Sequence, residues 1–487
     1  MNRPQSARAR WIGLGLTLLA AVCARMYAYC LLGVRFDAEP LNFYLQFIDP
    51  ELLRTHLWQS LYYLHEQPPL FNLFLGVVLK VAPHDYALVF NACFIVLGLA
   101  LTAALYGLLL KLKVPTLVAT VISLLYAVHP TTLLFENWLL YEYVIAALLI
   151  LAAAFLYGYL STNKTRYGAA FFLMLALIVW TRGTFHPLWM ILILAALAAL
   201  PGMRWTAVMR CGIPFVLLAL LPTAKNYFLY GDLLTGATYG KFNYSGMRTR
   251  HLPPQELQRL IADGTLSRAS GIDFYGRSVL DYADLLPPLQ NTGIPLLDTP
   301  LKSTGAPNWH HHGMTLVANL YYQDARLVAG RYPHLYWESV QDNFFRCLQP
   351  ANECVPFNQP DYANAIALRP WLDRFNRVFA GQIGAQGPGW ITALALLLVI
   401  PYWTIVLSAA CWRIVRHRNS APEETARLGL LLFCFFNFVY VCATTIALSH
   451  DDQNRYRFAA MPLFLILAAA MALDLTTRWR ANNRPAQ

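Results

Sequence analysis

Charge is what this chain has least of. Only 13% of its 487 residues are Asp, Glu, Lys or Arg, about half the share of an ordinary soluble protein. That is too little charge to cover a water-exposed surface, while 57% of the residues are hydrophobic and 14% aromatic. Soluble enzyme, disordered protein and nucleic-acid binder are therefore excluded as starting assumptions. There is no Walker loop, zincin motif, dinucleotide-binding glycine pattern or nucleophile elbow. Internal repeats, low-complexity tracts and clear strand alternation are missing as well.

What is present is a series of apolar runs near the ~20 residues that cross a bilayer. The expected class is an all-α polytopic membrane protein. Spans fall at Trp11–Val34, Tyr86–Leu110, Val114–Val128, Leu139–Leu160, Gly168–Thr181, Phe185–Leu200, Cys211–Tyr230, Trp390–Cys411, Leu428–Leu448 and Phe458–Leu473. The formal charge of +11 sits in short hydrophilic segments: Arg3, Arg8 and Arg10; Lys111 and Lys113; Lys164 and Arg166; Arg204 and Arg210; Arg413, Arg416 and Arg418; Arg478, Arg480 and Arg484. This is the positive-inside pattern and needs no nucleic acid.

The stretch Pro68–Ala82 is short for a span. If it crosses, the three basic clusters between Lys111 and Arg210 all face outward; if it is re-entrant, they all face the cytoplasm. The second reading gives about ten transmembrane helices plus a re-entrant helix, with both termini inside. Three parts follow: residues 1–230, a transmembrane catalytic module with a first outer loop at 35–67; residues 231–388, an extracytoplasmic domain; and residues 389–487, the C-terminal transmembrane helices. Within the outer domain, helices are expected at Pro254–Ala262, Leu316–Ala329 and Tyr336–Cys347.

Five strings carry residues suited to chemistry. Asp37 and Glu39 follow the first span; carboxylates in apolar surroundings have raised pKa values and suit general-base work. His65 and Glu66 precede Pro68-Pro69, a rigid helix start that holds them at the membrane edge. Arg182 interrupts an apolar stretch at membrane depth, where a charge faces a pathway or a partner. His450-Asp-Asp-Gln-Asn-Arg-Tyr-Arg457 places Arg455 and Arg457 on the outer side, against the charge trend; their forked guanidinium groups suit phosphate. The alternative is a solvated hairpin balanced by Asp451 and Asp452. Glu136 and Glu142 flank Trp138-Leu-Leu-Tyr141 as further substrate-facing or merely interfacial groups. His310-His-His312 reads as an exposed turn rather than a metal site.

Taken in order, these features resemble the GT-C superfamily of membrane glycosyltransferases, nearest its protein O-mannosyltransferase and lipid A aminoarabinose-transferase branch. The matching parts are the outer acidic motif (Asp37, Glu39), a His…Pro-Pro-Leu string (His65, Pro68, Pro69, Leu70), Arg182, a large outer domain, and Arg455-Tyr456 before a last span containing Pro462. Ala38 separates two acids that are adjacent in that branch, and two residues rather than one lie between His65 and Pro68. The resemblance implies an inverting transfer of a sugar from a polyprenyl-phosphate donor to an acceptor hydroxyl on a protein, lipid or polysaccharide, at the outer face of the membrane; the Ala/Leu/Arg-rich composition points to a bacterial inner membrane, with the site facing the periplasm. Asp37 is then the base, with Glu39 beside it, and Arg182, Arg455 and Arg457 bind the donor phosphate. His65, Glu66, Tyr141 and Tyr456 contact substrate, and Trp58, Tyr62, Tyr63 and Trp138 are further aromatic residues able to stack on a sugar. No ligand cluster points to a metal, and a divalent cation is left open. The rival classes are a transporter or lipid flippase, and a non-catalytic scaffold. Cys347 and Cys354, alone among cysteines in the outer domain, are expected to form a disulfide.

Overall fold

The computed structural model describes residues 7–200, 203–382, 387–417, 422–450 and 452–483. Arg3, Arg418, Asp451 and Arg484 lie outside them. Three quarters of the chain is helical, and the described residues contain no strand. In chain order the α-helices are α1 (Ala7–Cys30), α2 (Pro40–Phe43), α3 (Pro50–Thr55), α4 (Leu57–Tyr63), α5 (Pro69–Val81), α6 (Tyr86–Lys111), α7 (Thr116–Val128), α8 (Pro130–Glu136), α9 (Tyr141–Thr162), α10 (Thr165–Thr181), α11 (Pro187–Ala199) and α12 (Trp205–Tyr230). The outer region adds α13 (Ala237–Gly246), α14 (Pro254–Ala262), α15 (Pro295–Asp298), α16 (His312–Arg331), α17 (His334–Leu348) and α18 (Ala363–Phe375). The chain ends with α19 (Trp390–His417), α20 (Pro422–Leu448), α21 (Gln453–Phe458) and α22 (Met461–Asn482).

Proline and histidine punctuate this series. Proline opens α5, α8 and α11, where its missing N–H is no loss and its fixed φ suits the first turn. At α8 and α11 the residue before it is a histidine, His129 or His186. Each accepts a hydrogen bond from a first-turn N–H, that of Thr131 or Leu188, and so works as an N-cap. His311 does the same for α16 through Gly313.

Seven helices among the described residues, α1, α6, α9, α12, α19, α20 and α22, are long and apolar enough to cross a membrane. The pair α7 and α8, bent by 54° at a short break, makes an eighth if it forms one span. The protein is therefore a multi-pass membrane protein. Three of the apolar stretches, α5, α10 and α11, are shorter helices. The main core lies between α6, α9, α10, α11, α12, α20 and α22. Helices α1, α12 and α19 turn large apolar side chains outward, including Leu16, Leu217 and Leu397, as lipid-facing surfaces do. At one end of the bundle Lys113 pairs with Glu423 at 3.1 Å. At the other end lie the starts of α9 and the ends of α10 and α20.

The three helices expected in the outer region are present, α14 with the expected bounds and α16 and α17 longer by a few residues. The region is not a single body apart from the bundle, however. One part has its own core around Phe242, Phe274, Trp309 and Tyr321. Another, with Leu296, Cys354, Phe357 and Leu368, packs into a shared core with the first outer loop, α5, α6 and the start of α9.

Inside the bundle, Arg25 of α1 forms a two-pronged ion pair with Glu136, Nε to Oε1 at 2.7 Å and Nη2 to Oε2 at 2.5 Å. The Tyr143 hydroxyl donates to the same carboxylate. Gly98 lets this cluster reach the α6 backbone: a Cβ there would collide with Tyr143 and Glu136. Removing one member leaves a buried charge unpaired, at about 3–5 kcal/mol, whereas removing both is far milder. Arg25→Met is thus expected to lower the melting temperature of the solubilised chain sharply, and Arg25→Met with Glu136→Met to recover most of the loss. Thermal unfolding followed in detergent checks this; an equal loss in single and double variants would show that charge balance is not what the pair provides.

Candidate functional site

Five chain segments converge at the end of the bundle where α9 starts and α10 and α20 end. The first outer loop brings Tyr44 and Gln46, the start of α9 brings Trp138, Tyr141 and Glu142, and the end of α10 brings Arg182. Helix α13 supplies Tyr239, and α21 with its lead-in supplies Asp452, Arg455 and Tyr456. Glu142 is fully enclosed, and Arg182 and Arg455 are 6% and 5% exposed. Arg182 Nη1 lies 3.4 Å and Arg455 Nε 3.5 Å from the same oxygen, Glu142 Oε1. Arg455 Nε is also 3.6 Å from Asp452 Oδ2.

Aromatic rings complete the enclosure. The Arg182 guanidinium lies 5.0 Å from the Tyr141 ring centre and 4.3 Å from that of Tyr456. Arg455 lies 5.0 Å from the Tyr456 ring and 5.9 Å from Trp138. Tyr456 therefore faces both cations, which supports them through its ring quadrupole. The Tyr141 hydroxyl donates to Gln46 Oε1 at 2.7 Å and lies 3.2 Å from the Tyr44 hydroxyl.

These charges are close but poorly hydrogen-bonded. Neither oxygen of Glu142, nor the Nε of Arg182 or Arg455, has a hydrogen-bond partner among the described residues. Buried polar groups are normally satisfied, and buried charges stabilise only when geometry and hydrogen bonding are both good. Here two guanidinium groups stand at ion-pair distance from one carboxylate with donors to spare. The local backbone agrees: Asp452, which leads into α21, has a φ of +61°, a left-handed conformation that Asp tolerates better than most residues but that strains the chain.

The structure sorts the expected site residues into groups. Arg182, Arg455, Tyr141 and Tyr456 come together as expected, with Trp138. Glu142, which the sequence offered only as one of two uncommitted acids, is the centre on which they meet. The solvated-hairpin alternative fails, since Asn454 to Arg457 are all buried. Arg457 departs from the expected three-arginine clamp. It donates from Nη2 to the Gln349 carbonyl at 2.9 Å and lines a different cavity, between α7, α18, α19 and α22. The reason is helical: successive residues turn by about 100°, so positions 455 and 457 of α21 point to nearly opposite sides.

Asp37 is half-buried and one layer away. Its main chain pairs with Asn137 and Leu139, N to O at 2.8 Å and O from N at 3.0 Å, beside Trp138. Burial pushes its carboxyl upward from the usual range, against the hydrogen bond from the Glu39 N–H and the Tyr362 hydroxyl beside it. Glu39 is exposed and accepts from Asn42 at 3.0 Å. Of the aromatic candidates, Trp58 and Tyr62 are exposed and stand outside the cluster. Cys347 and Cys354 are free thiols rather than a disulfide. Cys347 faces α20 beside Cys442, while Cys354 turns into the shared core with Phe357.

His65 and Glu66 form a second buried pair, Nε2 to Oε1 at 3.2 Å. Glu66 Oε2 accepts from the Tyr239 N–H at 3.1 Å, which joins this pair to the site. The His310 ring stands edge-on to His65 at 6.0 Å. His310 and His311 are buried, so the expected exposed turn is instead an internal wedge: Lys302, just upstream, donates to the Tyr44 carbonyl at 2.7 Å and ties this segment to the first outer loop. No group of three or more His, Cys, Asp or Glu able to hold a metal occurs among the described residues.

A scan of family models and a search of curated proteins give no match for this chain. Class therefore rests on the structure: a helical multi-pass membrane protein with a buried, charged and aromatic cluster at one end of its bundle.

The His65–Glu66 pair makes a prediction about pH. Burial raises Glu66 from 4.5 to about 7 and lowers His65 from 6.5 to about 4. The raised acid stabilises the fold below 4.5 and loses that contribution as pH rises through 7; the lowered histidine stabilises above 6.5 and loses it as pH falls through 4. The two slopes oppose and nearly cancel. Glu66→Gln should therefore make stability rise with pH across that window, and His65→Asn should make it fall. Melting temperatures of parent and variants across the window decide it, and parallel curves for all three would show that neither group titrates as described.

Proposed function

We propose that the chain is a glycosyltransferase of GT-C type that moves a sugar from a polyprenyl-phosphate donor to an acceptor hydroxyl, with inversion, at the outer face of a bacterial inner membrane. The observation that carries the reading is the Arg182–Glu142–Arg455 cluster, in which two guanidinium groups with unused donors share one carboxylate beneath a wall of tyrosines and a tryptophan. Such a wall suits a sugar, and such a pair of cations suits its phosphate. In this reading α7, α10 and α11 complete ten crossings, α5 is re-entrant, and the periplasm lies on the side of the cluster.

The donor phosphate replaces Glu142 as the partner of Arg182 and Arg455, which hold the charge that develops as the sugar–phosphate bond breaks. The acceptor oxygen attacks the anomeric carbon from the opposite face, its proton passes to Asp37 at the half-exposed rim, and polyprenyl phosphate leaves with the bonding electrons. The raised affinity of Asp37 for a proton fits that role. Tyr141, Tyr456, Tyr44 and Gln46 are the groups that would contact the sugar, and Glu66 steadies the wall through Tyr239.

The test is a purified, reconstituted chain given polyprenyl-phosphate-linked sugars, with release of polyprenyl phosphate as the readout. Arg182→Lys and Arg455→Lys keep charge but lose the fork, and donor affinity is expected to fall in both. Asp37→Asn should slow transfer by about 10²–10⁴ while donor binding persists. Unchanged donor binding in both arginine variants would remove the clamp, and full transfer by Asp37→Asn would move the base elsewhere, first to Glu142.

A further inference from the structure

Arg457 points into a cavity of about 320 Å³ that the transfer reaction described above does not use. Three features of that cavity belong together. Its walls are mostly apolar, with Ile122 and Leu125 of α7, Ala395 of α19, and Met461 and Phe464 of α22 among them. Its flank includes Phe379 and Ile391, which are 46% and 47% exposed and continue into the exposed Val378 and Trp390. Trp390 and Ile391 open the span α19, with Val378 and Phe379 on the turn just before it; an exposed apolar flank at the start of a membrane helix faces lipid, and from this we infer that the cavity opens sideways toward the bilayer. Arg457 also lines it and is only 3% exposed. Its Nε and Nη1 have no hydrogen-bond partner, and no carboxylate pairs with it among the described residues.

A buried guanidinium without a counter-ion is costly. A lone cation in the wall of an apolar, laterally open groove is matched by one chemistry: an anionic head group on a hydrocarbon chain. The surrounding bilayer holds such molecules in large excess. We propose that this cavity holds an anionic phospholipid taken from the bilayer, with its phosphate on Arg457 and a chain lying between α7, α19 and α22. The site is separate from the Glu142 cluster, since Arg455 and Arg457 leave α21 on opposite sides, and the assignment does not depend on the glycosyltransferase reading.

The experiment is native mass spectrometry of the delipidated full chain titrated with phosphatidylglycerol, phosphatidylcholine, isoprenyl monophosphate and inorganic phosphate. Phosphatidylglycerol is expected to bind in preference to phosphatidylcholine, and inorganic phosphate not to compete. Arg457→Gln should weaken phosphatidylglycerol binding by about tenfold or more, the worth of a charge-assisted hydrogen bond. Ala395→Phe, which fills the groove and leaves the cation in place, should weaken it as well. Melting temperatures of both variants establish that they are folded. If both folded variants retain phosphatidylglycerol as the parent does, the site is wrong. If inorganic phosphate competes, an anion site without a lipid replaces it, and if isoprenyl monophosphate binds in preference, the bilayer phospholipid is not the occupant.

Discussion

Glu142 holds two arginines that the chain delivers from segments far apart in sequence. Arg182 comes from the break between α10 and α11, and Arg455 from the short helix before the last span. Without the carboxylate, two buried cations would face each other across the Tyr456 ring, at the point where the ends of α10 and α20 meet the start of α9. Much of the outer end follows from this requirement. Asp452 takes a left-handed backbone to enter α21, and its carboxylate also receives the Val355 N–H at 2.9 Å, which draws the outer region down onto the site. The ion pairs are long, at 3.4 and 3.5 Å, so the arrangement is held by enclosure more than by hydrogen bonding. That is the property the proposed exchange of Glu142 for a phosphate requires.

The contrast with Arg25 and Glu136 is instructive. That pair is also buried, but it is bidentate, carries a tyrosine hydroxyl, and leaves Glu136 with no unpartnered oxygen. It ties α1 to the bent α7–α8 unit and has no capacity left for a ligand. Two acids six residues apart, flanking the same Trp-Leu-Leu-Tyr string, thus do different work, and hydrogen-bond satisfaction is what separates them.

Hydropathy and charge placement made the membrane class legible, along with the main spans and three outer helices, because these depend on composition over windows of residues. Arg182 was legible as an intramembrane charge for the same reason. Its partner was not: nothing local distinguishes Glu142 from Glu136. The His310 string looked like surface because three histidines in a row are polar, yet a wedge joining the outer region to the first outer loop buries two of them. The cysteine pairing expected from proximity in sequence failed for a related reason. A turn of Pro350 to Glu353 sends Cys347 toward α20 and Cys354 toward Phe357, so compartment and spacing were poor guides to where each thiol points.

The separation of Arg455 from Arg457 shows how little sequence it takes to build two sites. In an extended hairpin, alternate residues share a face, and both arginines would meet one phosphate. In α21, six residues long, the same spacing turns them apart. One guanidinium then belongs to an enclosed polar cluster with a carboxylate partner, and the other to an apolar cavity with none among the described residues. In the readings proposed above, the identical side chain meets opposite demands in the two places: beside Glu142 it exchanges a carboxylate for a ligand's anion, whereas at position 457 it takes an anion from outside the chain. A single helical turn, placed where the last span begins, therefore stands between the Glu142 cluster and the cavity bounded by α19 and α22.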